Sequence, residues 1–175
     1  MQINSLSWSP KSTKGSYFFS KYPLIWGWAT WRDRWNLYDY KVSELDSFLE
    51  NDKIKSVTSN KKEISYHLKT FANKEADTWD YQWKFTIFNN DGLCVTPNQN
   101  LIRNIGFGED ATHTTNENSD KANLEIGEIK FPITHPKRIE RNTQLDKKYY
   151  STFLFLPLWK RIINKFSSLK RTRID

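Results

Sequence analysis

The sequence predicts an α/β chain, with several helices and a small mixed sheet. Three observations lead there. Apolar residues recur at helical spacing in three stretches between residues 44 and 92. Short apolar runs near residues 17–28 and 93–105, punctuated by Pro, Gly and Asn, have the character of strands or buried extended chain. The length of 175 residues, 37% hydrophobic and 27% charged, suits a domain with a true core and not a disordered chain.

Taken in order, residues 1–16 ("MQINSLSWSPKSTKGS") are polar and rich in Ser and Lys, and are expected to form an irregular lead-in. They lack the apolar h-region of a signal peptide. A domain is expected over 17–150. It opens with "SYFFSKYP" and "LIWGW", both extended. Trp26 and Trp28 are then two apart, the spacing of a strand face. Trp28, Trp31 and Trp35 fall at i, i+3 and i+7, a helical face. Thr30 is the expected N-cap, with Asp33 answering it as in a capping box, and a short helix should run to about Tyr38. On this reading Trp31 and Trp35 belong to the core. "ELDSFLEND" is the next helix. "NKKEISYHLKTFANKEA" follows it, with Ile64, Leu68 and Phe71 on one face. "DTWDYQWKFTIFNNDG" is another, with Asp77 as N-cap, Trp79, Trp83 and Ile87 as a stripe and Asn90–Gly92 as the stop.

"LCVTPNQNLIRNI" reads as short strands around a turn at Pro97–Asn98. "GFGEDATHTTNENSDK" is a polar loop and "IGEIKFPITHPKRIERN" an extended, proline-punctuated run. Residues 151–175 form a basic amphipathic helix. Leu158, Trp159, Ile162, Ile163, Phe166 and Leu169 share a face, and Lys160, Arg161, Lys165, Lys170 and Arg171 lie off it. Such a helix either lies on an anionic membrane surface or docks on its own domain.

A net charge of +7 suits nucleic acid, anionic membrane or phosphorylated small molecules. Nucleic acid is not an expected partner, because no RNA-binding aromatic signature or zinc finger appears and the lysines are scattered. Cys94 is the single cysteine, which excludes an internal disulfide and a cysteine zinc site. No run of about 18 apolar residues predicts a bilayer span, so the expected location is cytoplasmic, with peripheral attachment at the inner membrane through the tail. A phosphate-binding G-x-x-x-x-G-K-[ST] loop, a G-x-S-x-G elbow and an H-E-x-x-H motif are all missing. His67 sits in a charged helical stretch and reads as a surface or packed residue.

The remaining chemical candidate is Asp80 in "EADTWDYQW", flanked by Trp79 and Trp83. A helix N-terminus stabilises a carboxylate there. An ionised, positioned Asp suits a general base acting on a sugar hydroxyl. The same residue type at the same position also serves simply to complement the helix dipole.

"YFFSKYPLIWGWATWRDRW", "DTWDYQW" and "GLCVTPNQNLIRNIGFGEDATHT", in that order, resemble the C-terminal, acceptor half of bacterial nucleotide-diphospho-sugar transferases. These are glycosyltransferases of the GT-A fold. The order is also similar to the acceptor side of animal N-acetylglucosaminyltransferase I. The similarity covers about residues 16 to 150. It implies inverting transfer of a sugar from a nucleotide-sugar donor to a glycan or lipid-linked acceptor, with Asp80 as general base. It implies that Trp26, Gly27, Trp28, Trp79, Gln82 and Trp83 flank the sugar site. Asn104, Gly106, Gly108 and His113 would belong to a loop closing over the donor diphosphate. His113 reaches a metal or phosphate, or is an ordinary exposed loop residue.

The family holds a divalent metal, Mn or Mg, on an acidic D-x-D-like motif at the end of an N-terminal nucleotide-binding half. Here the nearest lookalike is Glu44 and Asp46 in "ELD", downstream of the glycine-tryptophan segment and inside an expected helix. No metal motif is therefore assigned to this chain. A separate nucleotide-binding half is an expected partner, and transfer by this chain alone should be poor. The alternative is a non-catalytic module at the membrane surface that binds carbohydrate or a partner chain.

Overall fold

The structure, a computed structural model, describes residues 1–8, 13–73, 75, 78–106 and 124–154. It is mixed α/β. The strands are β1 (Gln2–Asn4), β2 (Tyr17–Ser20), β3 (Trp28–Thr30) and β4 (Cys94–Pro97). They form one sheet in the order β2-β4-β1-β3. β1 runs parallel to β4 and antiparallel to β3, and β2 is antiparallel to β4. The helices are α1 (Arg32–Trp35), α2 (Leu45–Glu50), α3 (Ile54–Val57), α4 (Lys61–Phe71), α5 (Asp80–Asn89) and α6 (Thr143–Tyr149). A π-helical turn, Tyr150–Leu154, continues α6.

The start of the chain departs from expectation. Residues 2–4 are not an irregular lead-in but an interior strand of the sheet. The polar residues there point inward and are paired. Gln2 is fully buried, and its amide donates to Asn4 Oδ1 at 2.6 Å and to the Leu24 carbonyl at 2.9 Å. Asn4 uses all four of its hydrogen-bonding positions. Besides the bond from Gln2, Nδ2 donates to the Tyr22 carbonyl at 3.2 Å and Thr96 Oγ1 at 3.0 Å, and Oδ1 accepts from Leu24 N at 3.1 Å. A hydropathy pattern shows none of this, because the segment buries amides and not hydrocarbon.

α5 is the central helix. Every residue from Gln82 to Asn89 is buried, so the expected single stripe becomes a helix enclosed on all sides. Trp83, Phe85, Ile87 and Phe88 join Tyr22, Phe48, Phe71 and Cys94 in the main core. The expected N-cap, Asp77, lies outside the described residues; the N-cap position is Trp79, which offers no side-chain bond. The stop falls where expected, with Asp91 at φ 49° and Gly92 N bonding back to the Ile87 carbonyl at 2.8 Å.

The tryptophan corner differs in detail. Thr30 ends β3 instead of capping α1, and its hydroxyl donates to the Met1 carbonyl at 2.6 Å. α1 is a single turn with no buried residue. Trp31 and Trp35, expected in the core, are 51% and 38% exposed. Trp35 instead stacks on Tyr38 at 4.7 Å and leans on Trp83 at 5.1 Å. The expected tail helix over 151–175 falls almost wholly outside the described residues.

Candidate functional site

Gly27 decides where the two flanking tryptophans go. Its φ is +53°, a left-handed conformation that glycine adopts without a Cβ penalty. Strand alternation therefore breaks between Trp26 and Trp28, and the two rings part. Trp28 turns to an aromatic cluster, stacking on Trp79 at 5.1 Å and tilting against Trp35 and Trp83 at 5.8 and 6.0 Å. Trp26 turns the other way, into a cleft of about 240 Å³.

That cleft also contains Asp80, at the first turn of α5, and Lys84 one turn further on. Tyr81 from α5 and Tyr66 from α4 add ring faces, and Tyr149 reaches in from α6. The segment Pro23–Trp26 forms one wall, where the Asn4 side chain holds the backbone at Tyr22 and Leu24. Trp8 lines another side, set edge-on to Phe18 at 5.6 Å and against Tyr149 at 4.6 Å.

α6 is fixed by a buried polar junction. Asp146 accepts from Ser20 Oγ at 2.6 Å, Lys21 N at 3.1 Å and Arg141 Nε at 2.5 Å. Those bonds tie α6 to the end of β2 and so position Tyr149.

The electrostatics of the cleft are uneven. Lys84 is 8% exposed. Among the described residues its ammonium forms no hydrogen bond or ion pair, and it lies 5.7 Å from the ring centre of Tyr81 and 6.0 Å from that of Tyr66. Burial pushes its pKa below the ordinary lysine value, while the Asp80 charge pulls it back up. Tyr81 is shifted upward by burial and then by Asp80, and Tyr66 by burial, Tyr81 and Asp80. Asp80 itself accepts a short hydrogen bond from the Thr78 hydroxyl at the helix start.

Of the expected site residues, the structure thus brings Trp26 and Asp80 to one cleft. Trp79 is 39% exposed but belongs to the cluster around Trp28. Trp83 is fully buried and donates its indole N–H to Gln2 Oε1 at 2.5 Å, so it is core and not a sugar-facing ring. Gln82 lines a different hollow, beside Tyr40 and Thr70. Asn104 caps its own turn, Oδ1 accepting from Gly106 N at 2.9 Å. Gly108 and His113 lie outside the described residues. His67 is packed, at 0% exposure, beside Glu63 and Tyr22.

Trp8, Tyr66, Lys84 and Tyr149 carry no motif, and Tyr81, inside "DTWDYQW", was not singled out. The one available signal was a lysine inside the otherwise apolar "WKFTIF", four residues after Asp80.

The Mn or Mg of the resembled family is not matched by the described residues. They contain no group of three or more His, Cys, Asp or Glu placed to hold a metal ion. Glu44 is the N-cap residue of α2 and accepts a hydrogen bond from Asn89, which occupies it structurally. No helix among the described residues is long and apolar enough to cross a membrane. No family model matches the chain, and no curated protein or solved structure matches it.

Proposed function

We propose that the chain is the acceptor-side domain of a GT-A-class glycosyltransferase, and that the cleft between Trp26 and Asp80 takes the acceptor sugar. One observation carries the reading. Trp26 and Asp80, 54 positions apart and singled out by different motifs, line the same small aromatic cleft. Aromatic faces suit the apolar faces of a sugar ring, and a carboxylate among them suits its hydroxyls.

In the complete enzyme the Asp80 carboxylate takes the proton from the acceptor hydroxyl. The oxygen then bonds to the anomeric carbon of the donor, and the bond from that carbon to the nucleoside diphosphate breaks. The donor, its divalent metal and the diphosphate belong to a nucleotide-binding half outside these residues, and a lipid-linked acceptor would be met at an anionic membrane surface. Stabilising the departing diphosphate is a large share of such catalysis, so the chain alone is expected to bind sugar and transfer it poorly.

The second reading is a non-catalytic carbohydrate-binding module. The Thr78–Asp80 hydrogen bond favours it, since a local turn bond gives Asp80 a purely structural use.

The test pairs binding with turnover. Trp26→Ala is expected to weaken monosaccharide binding roughly tenfold, about 1.4 kcal/mol, read by tryptophan fluorescence. Asp80→Asn is expected to leave that binding in place. It should abolish any transfer measured with nucleotide sugar, manganese and the purified chain. Unchanged binding in Trp26→Ala would remove the cleft from the acceptor site. Turnover that survives Asp80→Asn would remove the base and leave the binding module.

A further inference from the structure

We infer that the cleft beside Asp80 selects a sugar ring bearing a carboxylate, with the Lys84 ammonium as the counter-ion of that carboxylate. The inference deepens the acceptor reading above and rests on it.

Lys84 is the one cation that α5 buries. A largely buried ammonium with no anion in direct contact is costly, and the Asp80 charge and two tyrosine faces offset only part of that cost. Elsewhere on the same helix the buried Thr86 and Asn89 side chains are paired, while the buried Gln82 Oε1 has no hydrogen-bond partner among the described residues. Thr86 Oγ1 donates to the Gln82 carbonyl at 3.0 Å, and the side-chain oxygen of Asn89 accepts from Lys53 Nζ at 3.0 Å. Lys84 forms no ion pair or hydrogen bond among the described residues, and it faces the cleft. A ligand carboxylate supplies the missing partner.

Charge and size narrow the class. A lysine is a compact point charge, whereas phosphate recognition by fixed side chains favours the bidentate fork of arginine or several cations together. Asp80 shares the cleft and repels a second negative charge, so a monoanion is favoured over a phosphate dianion. At about 240 Å³ the cleft is below the roughly 300 Å³ at which sites for drug-sized ligands begin, which suits a single ring. Asp80 and Lys84 are four residues apart on the helix, about 6 Å along the axis. A ring whose carboxylate meets Lys84 therefore directs a hydroxyl toward Asp80.

The experiment titrates the full chain with glucuronate, glucose and glucose 6-phosphate at fixed ionic strength, read by tryptophan fluorescence and calorimetry. Glucuronate is expected to bind at least tenfold more tightly than either of the others. Lys84→Met is expected to erase that preference, and Lys84→Arg to restore part of it. Asp80→Asn should hold or tighten glucuronate binding, because it removes the repelling charge.

Equal binding of glucuronate and glucose overturns the inference. So does tighter binding of glucose 6-phosphate, or a glucuronate preference that survives Lys84→Met. If circular dichroism shows that Lys84→Met does not fold, Lys84→Gln replaces it, and the wild-type ranking of the three sugars still decides. Binding of none of the three fails both this inference and the acceptor reading. Lys84-dependent glucuronate binding with turnover indifferent to Asp80 fails only the assignment of the base.

Discussion

Replacing Asn4 with alanine removes the most heavily used side chain in the sheet. Asn4 is 1% exposed and takes part in four hydrogen bonds, at 2.6, 3.0, 3.1 and 3.2 Å. Each is worth about 1 kcal/mol net, and a buried donor left without an acceptor costs about 1–3 kcal/mol. Leu24 N loses its acceptor outright, and Gln2 Nε2 keeps only the Leu24 carbonyl. The expected loss is about 3–5 kcal/mol, a large part of the roughly 5–15 kcal/mol that stabilises an ordinary domain. At about 2–4 °C per kcal/mol for a chain of this size, Tm should fall by roughly 6–20 °C in a calorimetric scan.

Asn73→Ala is the matched control. Asn73 is exposed, its side chain accepts one bond, from Glu75 N at 3.2 Å, and it should stay within about 0.5 kcal/mol of wild type. Asn4 also holds the backbone that leads to Trp26, so Asn4→Ala should weaken sugar binding below its own melting temperature. A Tm within about 2 °C of wild type would refute the claim that this amide network holds the N-terminal strand and the cleft wall together.

Two further predictions concern the glycines and the buried acid–base pair. Gly27→Ala places a Cβ at φ +53°, colliding with Ile102 Cδ1 and 3.2 Å from Ser5 Cβ. The left-handed backbone costs about 1–2 kcal/mol and overpacking about 1–3 kcal/mol. Urea unfolding should therefore show a loss of about 2–5 kcal/mol, whereas Gly106→Ala, which meets only Asn104 Oδ1 at 3.2 Å, should be nearly neutral.

His67 and Glu63 should make the protein acid-sensitive in two stages. Burial lowers the His67 pKa below its ordinary 6.5, against the pull of Glu63, so its contribution is complete above 6.5 and is lost as pH falls below it. Burial raises the Glu63 pKa, but the His67 ring 3.6 Å away, the Tyr22 hydroxyl that donates to Glu63, and Thr58 outweigh it and hold the pKa below 4.5. That contribution is lost later, as pH falls through the lowered value. In urea titrations from pH 8 to 3, His67→Phe should flatten the upper stage and also shrink the lower one, because His67 is the first of the groups that hold the Glu63 pKa down. An unchanged slope below pH 6.5 would contradict the buried neutral imidazole.

Three of the helices were legible because their signals are local, whereas α3 and α6 were not expected. α2 and α4 fall within the predicted stretches, and α5 within "DTWDYQWKFTIFNNDG", since apolar spacing and stop residues act over a few positions. Asn60 even caps α4, its side chain accepting from Lys62 N and Glu63 N. Of the cleft, Trp26 and Asp80 were legible, because large aromatics and a helix-start carboxylate stand out by residue type.

Three things depended on tertiary structure. β1 is a strand only because its Gln and Asn side chains find partners at Tyr22, Leu24, Trp83 and Thr96, contacts that span up to 92 positions. Trp26 and Trp28 separate because Gly27 takes a left-handed φ, which a glycine permits but does not require. The exposure of Trp31 and Trp35 follows from α1 being a single turn that the described residues leave without a buried position. Local sequence therefore determined where the chain coils into helices and which residues carry candidate chemistry. Long-range burial determined which of those residues share a cleft, and set Lys84 inside it without an ion pair among the described residues.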